Sequence, residues 1–250
     1  MPIYTVNLRK ALSFIPTILI IISCVVGASI ISFLLNNKFK NNVLSTNADP
    51  GLVIIIDPGH GGEDPGAIGV NGIYEKDLNL SVALMIGEML SEKGYTVIYT
   101  RTEDKMLYST EENIKGMRKI SDLKNRCAVS NNYENSLTIS VHMNTYGSSK
   151  YSGLQVYYQD GNNESAKLAN FIQGSVKEIL QPQNNRMVKN GKNLYLLENC
   201  SSNAVLIECG FLSNEEECEK LSEKEYQKQL SFSIVCGIIK YVEQNYEDNN

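Results

Sequence analysis

LVIIIDPGHGGEDPG, residues 52–66, is an aliphatic run that stops abruptly at Asp57 and gives way to proline, glycines and a histidine. A continuous apolar, β-branched run of this length predicts a strand covered on both faces, as in a parallel sheet. The chain holds only two histidines, and the first, His60, stands at the lip of this strand. Glycines at 59, 61, 62, 66, 69 and 72 give the following loop the φ freedom that a tight, side-chain-presenting turn requires.

Working outward, EKDLNLSVALMIGEMLSEKG (75–94) repeats apolar residues at helical spacing, begins with acids and ends in glycine, which predicts a helix. YTVIYTR (95–101) reads as a second strand, so the three pieces suggest a right-handed βαβ unit. From Asp104 to Ser130 a helical pattern runs through Ile114, Met117, Ile120, Leu123 and Cys127. LTISVHMN (137–144) is another buried strand, with GLQVYY (153–158) as its expected neighbour. A helix is expected over 164–180, short strands at LYLLE (194–198) and AVLIECG (204–210), and a closing helix over 225–246. Alternating strands and helices predict an α/β fold: a single domain with a mainly parallel or mixed sheet flanked by helices on both faces.

The first 50 residues differ. SFIPTILIIISCVVGASIISFLL (13–35) carries no charge, and its twenty-three residues would span roughly 35 Å as a helix, enough to cross a bilayer. The run is longer than the apolar region of a cleavable signal and lacks a good cleavage site. The expected organisation is a short cytoplasmic N-terminus at 1–12, an uncleaved transmembrane anchor at 13–35, a polar linker at 36–50 and an exported domain at 51–250. The alternative is a cleaved signal. Both export the domain.

Composition is that of a globular protein, 42% hydrophobic and 20% charged. A net charge of −5 supplies no basic footprint for nucleic acid. Six cysteines follow no zinc spacing, and one lies within the apolar segment; the other five, an odd number that leaves at least one thiol unpaired or intermolecular, read as small buried residues with one disulfide among them as an option.

In open α/β sheets functional groups gather beyond the carboxyl ends of strands. His60 follows the first strand, His142 ends the third, and Glu208 ends the apolar run AVLI. Hydrolytic zinc sites take three protein ligands and leave a fourth position for water. With two histidines available, the third ligand is a carboxylate or thiolate. Glu75 is preferred because the glycine-rich loop can fold it back beside His60; Asp57, Glu63 and Asp64 remain rivals. Glu208, costly on an apolar strand unless functional, is the expected general base. Arg126 reads as a helix ion pair and Asn144 as a turn residue. The loop lacks the lysine of a phosphate-binding loop, and no H-E-x-x-H motif is present.

Four separated pieces, DPGHGGEDPGA (57–67), the Glu of YEKDLNL (74–80), SVHMN (140–144) and IECGFLSNEEE (207–217), resemble the zinc-dependent N-acetylmuramoyl-L-alanine amidases of the AmiC/LytC type. The resemblance implies zinc (Zn2+) held by residues matching His60, Glu75 and His142, a catalytic glutamate matching Glu208, and hydrolysis of the amide between N-acetylmuramic acid and L-alanine. The expected partners are peptidoglycan glycan strands with their stem peptides, the membrane through the N-terminal helix, and a protein activator assisting a modest zinc affinity. The anchor and residues 100–126 resemble the sporulation amidases that act on spore cortex, towards muramic-δ-lactam. The expected location is the cell membrane, single-pass, with the catalytic domain outside the cytoplasm. One departure is Asn203, where such amidases often carry proline. The rivals are another zinc peptidoglycan hydrolase, such as a carboxypeptidase, and an inactive wall-binding protein.

Overall fold

The aliphatic run forms strand β1 (Val53–Pro58), with all but its first residue buried. It enters helix α1 (Glu75–Glu92) through the glycine-rich loop. Glu75 and Asp77 in the first turn complement the helix dipole, and Gly94, at φ +87°, turns the chain out of it. Strand β2 (Thr96–Tyr99) then pairs parallel with β1, completing the βαβ unit. In this computed structural model the described residues are 51–248, apart from 109, 110, 112 and 115. The expected membrane span and linker lie outside them; among the described residues no helix is long and apolar enough to cross a membrane.

The remaining elements are α2 (Arg118–Asn131), β3 (Ser136–Asn144), β4 (Gln155–Tyr158), α3 (Asn163–Ile179), β5 (Lys189–Asn190), α4 (Tyr195–Asn199), β6 (Asn203–Phe211), α5 (Glu215–Ser222) and α6 (Lys224–Asp248). The six-stranded sheet runs β2-β1-β3-β6-β4-β5. Strands β2, β1, β3 and β6 are mutually parallel, while β4 runs antiparallel to β6, so the sheet is mixed. The neighbour of β4 is β6, which inserts between it and β3.

Ile54 and Ile56 on β1 and Ile139 and Val141 on β3 are closed to solvent, as are Val82 and Ile86 of α1 and Ile234 and Ile238 of α6. Helix α6 packs on both α1 and α3. On the other face, Cys127 of α2 and Leu196 and Leu197 of α4 cluster with Ala204 and Leu206 of β6.

Two further expectations are corrected here. LYLLE is helical, not a strand: a five-residue apolar run is too short for periodicity to separate the two. The Glu198 carboxylate accepts the Asn193 N–H, and Cys200 N–H bonds to Leu196 O, closing one turn that puts Leu196 and Leu197 inward. The second concerns residues 114–127. Helix α2 starts only at Arg118, and Ile114, Met117 and Ile120 are 54%, 52% and 53% exposed. Its buried side is Ser121, Asp122, Arg126, Cys127 and Ser130, because the sheet face beneath it is polar. Ser130 bonds to Thr138 and Ser202, and Arg126 to Asp57. Apolar spacing therefore finds the helix but not its inner face: Cys127 is buried, Leu123 half-buried and Ile120 exposed.

Asn203, in the proline position of the resemblance, accepts a hydrogen bond from the Asn162 amide through its Oδ1, tying the start of β6 to the cap of α3. The five cysteines outside the N-terminal segment, 127, 200, 209, 218 and 236, are all free and buried.

Replacing Ile139 with Ala, at the fully buried centre of the sheet, is expected to cost roughly 2–5 kcal/mol. Urea unfolding should show a lower midpoint with an unchanged slope. A loss below about 1 kcal/mol would contradict the placement of the core.

Candidate metal centre

His60 sits two residues past β1 with φ +60°, a left-handed conformation that is uncommon for a residue with a side chain. Two buried arginines hold it there. Arg101 donates to the carbonyls of Pro58 and Gly59 (2.9 Å each) and of Lys76 (2.9 Å). Arg126 donates to Pro58 O (2.7 Å) and to His60 O (2.6 Å). Three consecutive carbonyls of the ligand loop are thus fixed by guanidinium groups. Arg126 is itself paired with Asp57 at 2.7 Å and with Asp122, one helical turn away, at 2.7 Å. Thr100 and Ser140 donate to the same Asp57 carboxylate. Burial opposes that charge, but Arg126 and the two hydroxyls outweigh it and hold Asp57 down at about 2.

Glu75 is the first residue of α1. Its N–H bonds to Ala67 O (2.9 Å), and its Oε2 accepts the Ala67 N–H (2.8 Å), which closes the loop from 67 to 75. Its Oε1 accepts from Asn79 Nδ2 and from Met143 N–H, both at 3.2 Å. That same oxygen lies 3.2 Å from His60 Nε2 and 3.0 Å from Nδ1 of His142, which projects from β3. A Cβ on Gly59 would strike the His142 ring, and one on Gly66 would strike Glu75 and His60. Both positions are glycine because the site closes against their backbone.

The donor atoms of His60, Glu75 and His142 all lie within 4.8 Å of one another. Ligands about 2.0–2.2 Å from a tetrahedral zinc stand roughly 3.3 Å apart, which the 3.2 and 3.0 Å separations match. Two imidazoles and one carboxylate are a zinc-type donor set, so these residues fit the metal. His60 also has the outer support expected of a ligand: its Nδ1 bonds to Asp64 at 2.9 Å, orienting the ring so that Nε2 faces inward.

Burial disfavours the charged form of His60, but the Asp64 and Glu75 carboxylates outweigh it and raise its pKa to about 9. For Glu75, burial works against ionisation, and the hydrogen bonds and charges of His142 and His60 hold it well below the usual carboxylate range. The Glu75 carboxylate and the His60 imidazole thus each favour the other's charged form.

Glu208 lies in register with His142 across the β3–β6 pair. Strand β6 continues past it to Phe211, so it sits inside the strand rather than at its end. Its Oε2 is closed to solvent and has no hydrogen-bond partner among the described residues. Burial chiefly, with the Glu75 charge, pushes its carboxyl up to about 7, against the opposing pull of His142 and His60.

Residues 54–240 match the family described as N-acetylmuramoyl-L-alanine amidase. The chain belongs to this amidase family. Its reaction is hydrolysis of the amide between N-acetylmuramic acid and L-alanine. The amidase is 37% identical over 228 residues to the germination-specific N-acetylmuramoyl-L-alanine amidase of Bacillus subtilis, covering 88% of this chain and 93% of that relative. Among solved structures it resembles the CwlD amidase from Clostridioides difficile, determined in complex with the GerS lipoprotein. There the identity is 39% and the TM-score 0.74, over 77% of this chain and 98% of that one. The catalytic domain of CwlV from Paenibacillus polymyxa follows with 31% identity and a TM-score of 0.64, over 76% and 98% of the two chains.

The amidase brings His60, Glu75 and His142 together and sets Glu208 one strand away. Of the rivals to Glu75, Asp57 pairs with Arg126, Glu63 pairs with Arg118, and Asp64 supports His60 from behind. Arg126 makes the expected helix ion pair but also anchors the ligand loop, a role shared by Arg101. Neither arginine's loop contacts were readable in sequence, because the contacts are to backbone carbonyls far away along the chain. The only signal was an arginine at a strand end and another amid apolar helical positions.

A metal ligand must be neutral imidazole, so protons compete with the metal at His60. Because that group is protonated below about 9, zinc affinity should rise with pH up to that point. Below it, affinity should fall about tenfold per pH unit, read by chelator competition between pH 6 and 9. A flat profile would contradict the ligand role of His60.

Proposed function

We propose that the amidase holds zinc between His60, Glu75 and His142 and uses Glu208 as its proton carrier. The zinc, when bound, supplies a Lewis acid for the scissile carbonyl and lowers the pKa of water to about 7. Glu208 takes the proton of the attacking water on Oε2 and hands it to the alanine nitrogen as the C–N bond breaks. A carboxyl raised by burial towards the working pH serves both halves of that cycle. The observation that carries the assignment is this buried Oε2 without a partner, directly across the sheet from His142. An orphaned carboxylate oxygen in a closed site is destabilising, and a transferred proton gives it a purpose.

The proposal extends to place and partner. Residues 13–35 anchor the chain as a single-pass segment, with the catalytic domain outside the cytoplasm and spore cortex peptidoglycan as its substrate. The germination-specific relative supports the cortex assignment. The lipoprotein-bound CwlD structure supports an accessory lipoprotein as activator.

Glu208→Gln keeps the shape but cannot accept a proton; amide cleavage should fall by about 10²–10⁴-fold while zinc remains bound. Full turnover in that variant would refute the proton-carrier role. His60→Ala and His142→Ala should each lose metal and activity together, as the chain has no further histidine. Adding native membrane extract to the full chain with zinc and peptidoglycan should raise release of stem peptides with free N-terminal alanine. Equal release without extract would remove the need for an activator.

A further inference from the structure

Four arginines occur among the described residues. Arg101 holds backbone carbonyls, Arg126 pairs with Asp57 and Asp122, and Arg118 pairs with Glu63. Arg186 is different. Like Arg101 it forms no ion pair among the described residues, but it is half-buried where Arg101 is enclosed; its partners are neutral oxygens, Ser152 O at 2.7 Å and Gln155 Oε1 at 3.3 Å. The nearby acid Glu217 feels the Arg186 charge but makes no ion pair with it, its oxygens being taken by Gly153 N–H on Oε1 and Phe211 N–H on Oε2. The Arg186 guanidinium lies 4.4 Å over the Phe211 ring and 5.8 Å from the Tyr151 ring. Stacking of this kind fixes the plane of the fork and leaves its edge to bind.

Its position relates it to the reaction. Gln155 of β4 is paired in register with Glu208 of β6, which is paired in register with His142 of β3. Residues directly opposite on neighbouring strands project from the same side, with strands about 4.8 Å apart. The guanidinium therefore stands at the end of a transverse row that begins at a metal ligand and passes through the proton carrier. From Glu208 to Gln155 is one strand spacing, roughly 5 Å. In an acylated dipeptide the second residue's carboxylate lies roughly 6 Å from the first residue's nitrogen, given about 3.8 Å between successive α-carbons. Beyond Arg186 the surface opens into a cavity of about 810 Å³, lined near the guanidinium by Lys150, Tyr151 and Asn184 and further off by acids that include Glu216, Glu223 and Glu225, room for the rest of a peptide.

We propose that Arg186 is a carboxylate-binding residue for the leaving peptide, gripping the free carboxylate of the residue that follows L-alanine. In stem peptides that residue is a glutamate linked through its side chain, so its main-chain carboxyl is free or carried as the amide. The inference rests on the amidase reading above and adds a specificity to it. The guanidinium offers two parallel donors to a carboxylate and none of that pairing to a neutral carboxamide.

The test uses the full-length chain with zinc and native membrane extract. It is given two peptidoglycan preparations that differ only in this group, one carboxylate and one carboxamide, and release of N-terminal alanine is followed. The wild type should favour the carboxylate form by roughly ten- to hundredfold in kcat/KM. Arg186→Met should erase the preference by lowering cleavage of the carboxylate form alone, with the carboxamide form serving as an internal control of folding. Arg186→Lys should keep part of the preference. The proposal is overturned if the wild type does not discriminate, or if Arg186→Met and Arg186→Lys lose both substrates equally. Release of no alanine from either preparation by the wild type is a separate result, which defeats the amidase reading itself and this proposal with it.

Discussion

Oε1 of Glu75 lies within 3.2 Å of a ring nitrogen from each of two histidines, and the rest of the architecture keeps that arrangement in place. A buried, ionised carboxylate is expensive unless it is surrounded by donors. Glu75 has the Ala67 and Met143 N–H groups and the Asn79 amide in addition to the imidazoles. Each contact comes from a different part of the chain: the glycine-rich loop, the third strand and the same helix one turn on. The carboxylate therefore acts as a junction, and the parallel pairing of β1 with β3 is what brings its partners to one end of the sheet.

The second constraint is backbone. His60 adopts a left-handed conformation that costs free energy, and such geometry persists only where the surroundings over-determine it. Here they do so through two fully buried guanidinium groups, each binding carbonyls on the strand-to-loop corner. Asp57 completes the set by neutralising Arg126 within the sheet. The conversion of β1 from an apolar strand to a polar corner at Asp57 is thus the structural meaning of the abrupt change at that point in the sequence.

Much of this was legible beforehand, for identifiable reasons. LVIIID and LTISVHMN are rich in β-branched residues, and the first is bounded by proline and glycine, which marks a covered strand where periodicity alone would not, and two scarce histidines near strand ends pointed to one another. Glu75 could be chosen over Asp57, Glu63 and Asp64 only as a preference, since its return beside His60 depends on a loop closure that no spacing encodes. The start of helix α2 was misread, since residues 114 and 117 precede it, and its inner face binds a polar sheet surface, which leaves Ile120 exposed. LYLLE was misread because five residues hold too little pattern. The position of β4 beside β6 is a long-range choice that local sequence does not specify.

The five sulfhydryls outside the N-terminal segment are each enclosed within the packed interior. Cohesion of the domain as it stands here then comes from packing and hydrogen bonding, with no cross-link among these five sulfurs. A reducing agent finds no bond among them to break.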